Sequence, residues 1–342
     1  MSSTQLKMSW SIGQVWNEAL ETGREREAKS RQHIWASEIG GSYIDRFLRM
    51  KGIEQTNPPN ARSLRKFEAG NMMEWVVGMV LKRAGIYKAT QEYLTYQYPD
   101  LLKVTGKLDF LAGGSVDWDK AKAEIFQLEL PEFFARASTK IIEYLSATYP
   151  NGLDNIILEV KSCSSFMFDR YERTGAGIHH QLQAYHYLKA KNLPEAHIVY
   201  ISRDDLRMLE FGLHNPSPLE DLYRADIRTM TEFLTTDSQP EKEPLVVYEE
   251  ATGRFTRNWK VAYSGYLSML YGYENQMSYE NTWSGKVSAM NRVMARCVSG
   301  AKMTPKNLEI IVEAKKLFPH WDQLVENSKA KGVTEEDLID EN

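Results

Sequence analysis

Three residues have the types and spacing to do chemistry together: Asp109 in GKLDF, just ahead of a Gly-Gly turn, and Glu159 and Lys161 in IILEVKS. Hydrolysing a phosphodiester needs an activated water, neutralised charge at phosphorus and help for the leaving oxygen. A hard divalent cation, Mg²⁺ or Mn²⁺, supplies much of this and takes oxygen ligands. A lysine beside it can hold the water or meet the charge that builds on phosphate. Residues two apart in a strand share a face. Glu159 and Lys161 therefore project together, while Leu158 and Val160 enter the core. If the strand bends, the Val160 carbonyl also faces the metal, so the expected ligands are Asp109, Glu159 and Val160.

Glu-x-Lys taken alone is a weak signal. It recurs at Glu27-Ala28-Lys29 and Glu313-Ala314-Lys315, in helical, solvated contexts where positions two apart share no face. Only Glu159-Val160-Lys161 ends a β-branched run and follows a Gly-x-x-Asp, Gly106 to Asp109. The bland alternative is an exposed, charged strand end. Downstream, Gln181 and Tyr185 share a helix face and offer contacts to water or phosphate, although Gln183 and Tyr187 repeat that spacing on another face. Upstream, Glu74 is flanked by Met72, Met73, Trp75 and Val76. A carboxylate in such company either reaches solvent or offsets its burial by binding something. Gly70 in the same helix allows close approach of another backbone.

The elements that must position these residues follow from periodicity. Residues 13–30 read as a polar helix. Ser37 can N-cap a helix whose apolar face carries Ile39, Tyr43, Phe47 and Leu48. Residues 63–85 form a long amphipathic helix ending near Gly85. Residues 93–98 and 101–114 are strand-like, 115–155 irregular and then helical, 155–164 a short strand, 179–192 a helix and 195–211 a strand or hairpin. Beyond 215 the chain turns helical, most clearly at 221–234 and 258–273. This is an α/β (α+β) pattern. Its expected organisation is an N-terminal helix (1–34), a core (35–214, with an insertion at about 115–155) and a helical C-terminal region (215–342).

Composition narrows the class. The chain has 342 residues, 42% hydrophobic and 26% charged, with a formal net charge of −4. That balance argues against coating nucleic acid along the whole surface and leaves room for a basic cleft. No stretch approaches the roughly 20 apolar residues that span a bilayer, so no membrane association is expected. The N-terminus lacks the apolar core of a signal peptide. The two cysteines, Cys163 and Cys297, are too few for a four-cysteine zinc or iron–sulfur site and imply a reducing compartment. WSGKV is not a P-loop, because Val287 stands where Ser or Thr should be and Glu280 where glycine should be.

Glu in a helix, Gly-x-x-Asp, Glu-x-Lys and Gln-x-x-x-Tyr, in that order, resemble the signature of RecB-like PD-(D/E)XK nucleases. SEIGGSYIDRFL resembles that family's Ser-containing first helix, and EAGNMMEWV resembles the Gly-x-x-x-Glu helix of phage lambda-type exonucleases. The resemblance covers residues 35–211. It implies a restriction-endonuclease-like core, a central mixed β-sheet flanked by helices, and Mg²⁺- or Mn²⁺-dependent cleavage of DNA. It makes Asp109 and Glu159 metal ligands, Lys161 the catalytic lysine, and Glu74 a further ligand where many relatives have His. Gln181 and Tyr185 become the contacts of the Gln motif. Relatives of the CRISPR-associated and AddB types carry four cysteines around an iron–sulfur cluster. Here Ser42 falls near the first such position, so no cluster is expected, and packing of Trp259, Tyr263 and Tyr266 is expected to stand in for it.

Ser37, Arg46, Arg62, Arg65 and Lys66, with Arg49 and Lys51, are candidate DNA contacts. Their alternative is a solvated helix face. The expected function is an exonuclease or end-processing nuclease in recombination, replication or repair, phage-encoded or bacterial and cytoplasmic. DNA, a recombination or replication protein and further copies of the chain are the expected partners. A structure-specific endonuclease on the same fold and a non-catalytic DNA-binding or scaffold protein are the competing readings.

Overall fold

The computed structural model describes residues 11–22, 29–214, 218–250 and 252–330. Glu27 and Ala28 of the first Glu-x-Lys triplet and the acidic C-terminal tail lie outside them. The chain is a mixed α/β protein in two units, one taking residues 1–41, 50–52 and 59–238, the other 42–49, 53–58 and 239–342. Among the described residues no helix is long and apolar enough to cross a membrane.

The first unit holds two sheets. A five-stranded sheet runs in the order β2 (Tyr87–Thr90), β5 (Phe110–Gly114), β6 (Leu153–Cys163), β7 (Glu195–Ser202), β8 (Met208–His214). Only its β6–β7 pairing is parallel. A three-stranded sheet runs β1 (His33–Trp35), β4 (Lys103–Lys107), β3 (Tyr93–Tyr96). Leu108 and Asp109 join β4 to β5, so Asp109 stands where the chain crosses from one sheet to the other. Strand β6 is central, and residues 157–160 are buried in succession, as a strand covered on both faces requires.

Helix α3 (Ala61–Arg83) covers one face of the larger sheet. Its Val77 and Leu81 pack with Phe110, Leu158, Val160 and Val199. Gly78 permits this approach, since a Cβ there would sit 2.9 Å from the Phe110 ring. Gly70, by contrast, would bring a Cβ to 3.3 Å from the Ser162 hydroxyl, so the close neighbour there is a side chain and not backbone. Helix α7 (Ile178–Lys191) packs on β6 and β7 and is also surrounded by β3, β4, the 3-10 turn Ala36–Glu38 and α8 (Leu219–Thr235). As a result residues 182–188 are all buried. Helix α6 (Ser165–Thr174) follows β6, capped by the Ser164 hydroxyl.

Several sequence expectations shift. Helix α1 is described over Ile12–Thr22, residues 23–28 of the expected helix lie outside the described residues, and Lys29 and Ser30 are not helical. Ser37 lies inside the 3-10 turn rather than at an N-cap; the Ser42 hydroxyl instead accepts from the Asp45 N–H at 3.4 Å at the start of α2 (Tyr43–Met50). Residues 115–155 form α4 (Trp118–Ile125) and α5 (Glu132–Thr148), whose Ala121, Ile125 and Ile142 make a small core of their own. Helix α8 belongs with the sheets, and the C-terminal stretch of the second unit runs from residue 239, where a helical region from 215 was expected.

In the second unit the expected helix 258–273 is two short helices, α9 (Trp259–Ala262) and α10 (Leu267–Tyr271), parted around Gly265. The Asp45 carboxylate fixes that break by accepting from Ser264 Oγ at 2.8 Å and the Gly265 N–H at 2.9 Å. Of the three aromatics expected to pack together, Tyr266 is buried while Trp259 and Tyr263 are exposed. A hairpin, β9 (Val246–Glu249) and β10 (Arg254–Arg257), packs on α11 (Gln276–Ser299). There the buried Asn291 amide brackets Phe255, accepting from its N–H at 2.8 Å and donating to its carbonyl at 3.0 Å. Helices α12 (Pro305–Leu317) and α13 (Trp321–Ala330) complete the unit, with Trp321 stacked on Phe255.

Strands β7 and β8 carry a charged cluster. His197 meets Glu210 at 2.5 Å through Nδ1 and Glu195 at 2.8 Å through Nε2. Hydrogen bonding to Glu210 leads the causes that push its pKa up to about 9. Because the folded value is raised, its stabilisation is complete below about pH 6.5 and is lost as the pH rises through about 9. After allowance for solvent screening, His197→Gln is expected to destabilise the protein by about 1 kcal/mol at pH 6 and by almost nothing at pH 10. Urea unfolding at both values checks this, and a pH-independent difference refutes it.

Candidate active site

The structure gathers Glu74, Asp109, Glu159 and Lys161 into one electrostatically coupled group. Glu74 comes from α3, Asp109 from the β4–β5 crossing, and Glu159 and Lys161 from β6. Pairing of β5 with β6 ends at Phe110 opposite Leu158, whereas β6–β7 pairing runs on to Cys163 opposite Ser202. Beyond Leu158, then, β6 has lost its neighbour on one side. Asp109 fills the gap, its Oδ2 accepting from the Val160 N–H at 2.8 Å. The N–H and C=O of an extended residue point to the same edge, so the Val160 carbonyl faces this opening too.

Glu159 has no solvent exposure. Its Oε1 accepts from Lys161 Nζ at 2.5 Å, and its Oε2 is buried with no hydrogen-bond partner. Burial first, then the Asp109 charge, pushes its pKa up to about 8. Burial also raises Asp109 and Glu74, and the Asp109 charge adds to the shift at Glu74. Burial alone would lower Lys161, but the surrounding carboxylates outweigh it and raise its pKa. Lys161 is therefore a cation and donor here, not a base.

Other placements depart from expectation. Gln181 donates to the Ala176 carbonyl at 2.6 Å. The Tyr185 hydroxyl donates to Glu220, which also accepts from Lys189 at 2.7 Å and Tyr98 at 2.6 Å. Tyr185 thus belongs to a structural cluster on α8. The other face of α7 meets the carboxylates: Tyr187 feels the charges of Glu159 and Asp109, donates to the Lys107 carbonyl at 3.0 Å and accepts from Gln183 at 3.2 Å. Its ring fits because residue 106 is glycine, since a Cβ there would lie 2.6 Å from both Tyr187 Cε1 and Ala36 Cβ.

His180 shares a hydrogen bond with the Tyr200 hydroxyl through Nδ1 at 2.7 Å, and burial first, then the nearby Lys161 charge, holds its pKa far below the usual imidazole range. Gln91 donates to Glu74 from a left-handed backbone with φ 57°, a conformation that a Gln codon does not advertise. Arg46 is 1% exposed, so it is not available to phosphate. Arg65 is drawn to Asn17. Ser37, Arg62 and Lys66 are exposed, with Lys66 two turns, about 12 Å, before Glu74 along α3.

Among the described residues, no three His, Cys, Asp or Glu side chains already surround one metal position. Each carboxylate is instead drawn to a protein donor: Gln91 for Glu74, Val160 for Asp109, Lys161 for Glu159. The donor chemistry still fits a hard divalent cation, because it is all oxygen and the orphaned Glu159 Oε2 lacks a counter-charge of its own. No protein-family model matches the chain, and no curated protein does. Among solved structures it is similar to a crystal structure of SSO0001, at 14% identity over 75% of this chain and 93% of that one, with a TM-score of 0.43. That likeness is too distant to bear on function.

Two outcomes follow from this geometry. Gly106→Ala is expected to destabilise the protein by about 1–3 kcal/mol through overpacking against Tyr187; an unchanged urea midpoint refutes the fit. Mn²⁺ or Mg²⁺ at about a hundred times its dissociation constant is expected to stabilise the wild type by about 2.7 kcal/mol and Glu159→Gln far less. Thermal melts measure both, and equal gains in the two proteins exclude Glu159 as a ligand.

Proposed function

We propose that this chain is a divalent-metal-dependent DNA nuclease of the PD-(D/E)XK kind, acting on DNA ends. The observation that carries the reading is the Glu159 carboxylate, fully buried with one oxygen unpartnered, beside Asp109 and a charged Lys161. A buried carboxylate left half-satisfied is costly and is accounted for if it holds a cation.

Asp109, Glu159 and the Val160 carbonyl would hold that cation, with Glu74, held by Gln91, as a further ligand. When bound, it neutralises charge at phosphorus and eases formation of a nucleophile from water. The chain's own groups do the rest. Lys161, leaving Glu159, turns its ammonium to the phosphate and stabilises the charge that builds there. Tyr187, locked by Gln183 and the Lys107 carbonyl, keeps the Asp109 crossing in register with β6. His180, neutral beside Lys161, adds no competing charge.

End-labelled linear DNA and covalently closed circles, each incubated with Mg²⁺, Mn²⁺ or EDTA, test the proposal. Linear substrate alone is expected to be degraded, only with metal, and at least about 100-fold more slowly by Lys161→Ala. Cutting of circles as well makes the enzyme an endonuclease on the same site. Absence of metal-dependent cleavage of either substrate sinks the catalytic reading in favour of a binding or scaffold role.

A further inference from the structure

Glu74 also lines an open cleft of about 410 Å³. Helix α3 forms one wall with Asn71, Trp75 and Lys82, and β2 and β4 form the other with Tyr87 and Lys107. Trp75 is 67% exposed, unusual for so large an apolar side chain, and its indole packs on no other aromatic ring among the described residues. Lys82 stands over the Tyr87 ring at 4.9 Å, and Lys107 lies 5.9 Å from the Tyr93 ring. Neither ammonium is in an ion pair among the described residues. The cleft therefore carries two cations against the single carboxylate of Glu74.

We infer that this cleft is a subsite for one unstacked nucleotide of single-stranded DNA, with Trp75 as the stacking platform and Lys82 and Lys107 as phosphate contacts. The inference rests on the nuclease reading for its direction, because the cleft shares Glu74 with the carboxylate group. An aromatic face without a partner, flanked by cations, is the combination that binds single strands without reading sequence. The volume suits one nucleotide-sized ligand and is far too small for a duplex about 20 Å across, whose bases moreover hide their faces in the stack. A strand reaching the carboxylates past Trp75 must therefore be single or frayed. Lys107 has a further position of interest, since it is two residues from Asp109 and its charge acts on both Asp109 and Glu74. It can bridge the phosphate of the stacked nucleotide and the reacting centre.

The test is fluorescence anisotropy in EDTA, with labelled oligo(dT) and a blunt duplex of equal length, on wild type, Trp75→Ala, Trp75→Phe and Lys107→Ala. Thermal melts confirm that each variant is folded, and Phe126→Ala, an exposed aromatic elsewhere, serves as control. Trp75→Ala is expected to weaken single-strand binding about tenfold or more while leaving duplex binding unchanged, with Trp75→Phe retaining most of the affinity. Lys107→Ala is expected to lower the salt dependence of single-strand binding by about 0.7 in log–log slope. Wild-type affinity for the single strand in Trp75→Ala, an equal loss on duplex, or no single-strand binding by the wild type overturns the subsite. Cleavage abolished by Lys161→Ala alongside normal binding by Trp75→Ala removes the subsite and leaves the nuclease intact. Trp75-dependent binding without any metal-dependent cleavage does the reverse.

Discussion

A carboxylate with no exposure to water is expensive unless it is matched, and Glu159 is matched by only one group, the Lys161 ammonium two residues along the same strand. The neighbourhood is arranged around that burial. β6 must be central, so that α3 and α7 close over its two faces. It must also lose β5 as a neighbour after Leu158, because a continuous ladder would leave no room beside Glu159 for a second carboxylate. The two demands meet at the β4–β5 crossing, where Asp109 replaces the missing strand and satisfies the Val160 N–H. The same carboxylate that serves the site thus also closes the sheet.

That double duty explains the tight packing behind the crossing. Gly106 admits the Tyr187 ring, and Tyr187 binds the Lys107 carbonyl between Gly106 and Asp109. A shift of the crossing moves Asp109 relative to Val160. Position 106 is therefore constrained by the site although its own atoms do no chemistry. Gln91 works similarly from the other side: its backbone N–H donates to the Leu108 carbonyl at 2.9 Å while its side chain holds Glu74.

The parts legible in the sequence were those governed by a short period. Period two set Glu159 and Lys161 on one side and Leu158 and Val160 in the core, while the apolar company of Glu74 left solvent and burial both open, and the structure leaves it partly buried. The order of strand-like and helical stretches gave the α/β pattern, and the mixed sheet flanked by helices was what the resemblance to the nuclease family implied. The face of α7 was not legible, because residues 182–188 are buried on every side, Gln183 and His186 included, so no wet face marks the periodicity that distinguishes one side from another. Tyr185 and Tyr187 are equally buried, and only the tertiary structure sends one to Glu220 and the other to the crossing. Nor could local pattern show the break near Gly265, which a carboxylate 220 residues upstream in the chain holds in place.

Lys161 and a divalent cation would compete for the same carboxylate, and this competition gives the proposed site its logic. In the structure Lys161 supplies the positive charge that Glu159 needs, while burial above all raises the pKa values of Glu159, Asp109 and Glu74, with the Asp109 charge adding to the shifts at Glu159 and Glu74. A cation placed on the free Oε2 would offset the cost of that burial and weaken the hold on Lys161. The ammonium would then be most available to an incoming phosphate when the cation is present. Such coupling would make the lysine, in the proposed site, a reporter of metal occupancy as well as a charge donor. It also gives a physical reason for Glu and Lys to be two apart, on one face of one strand.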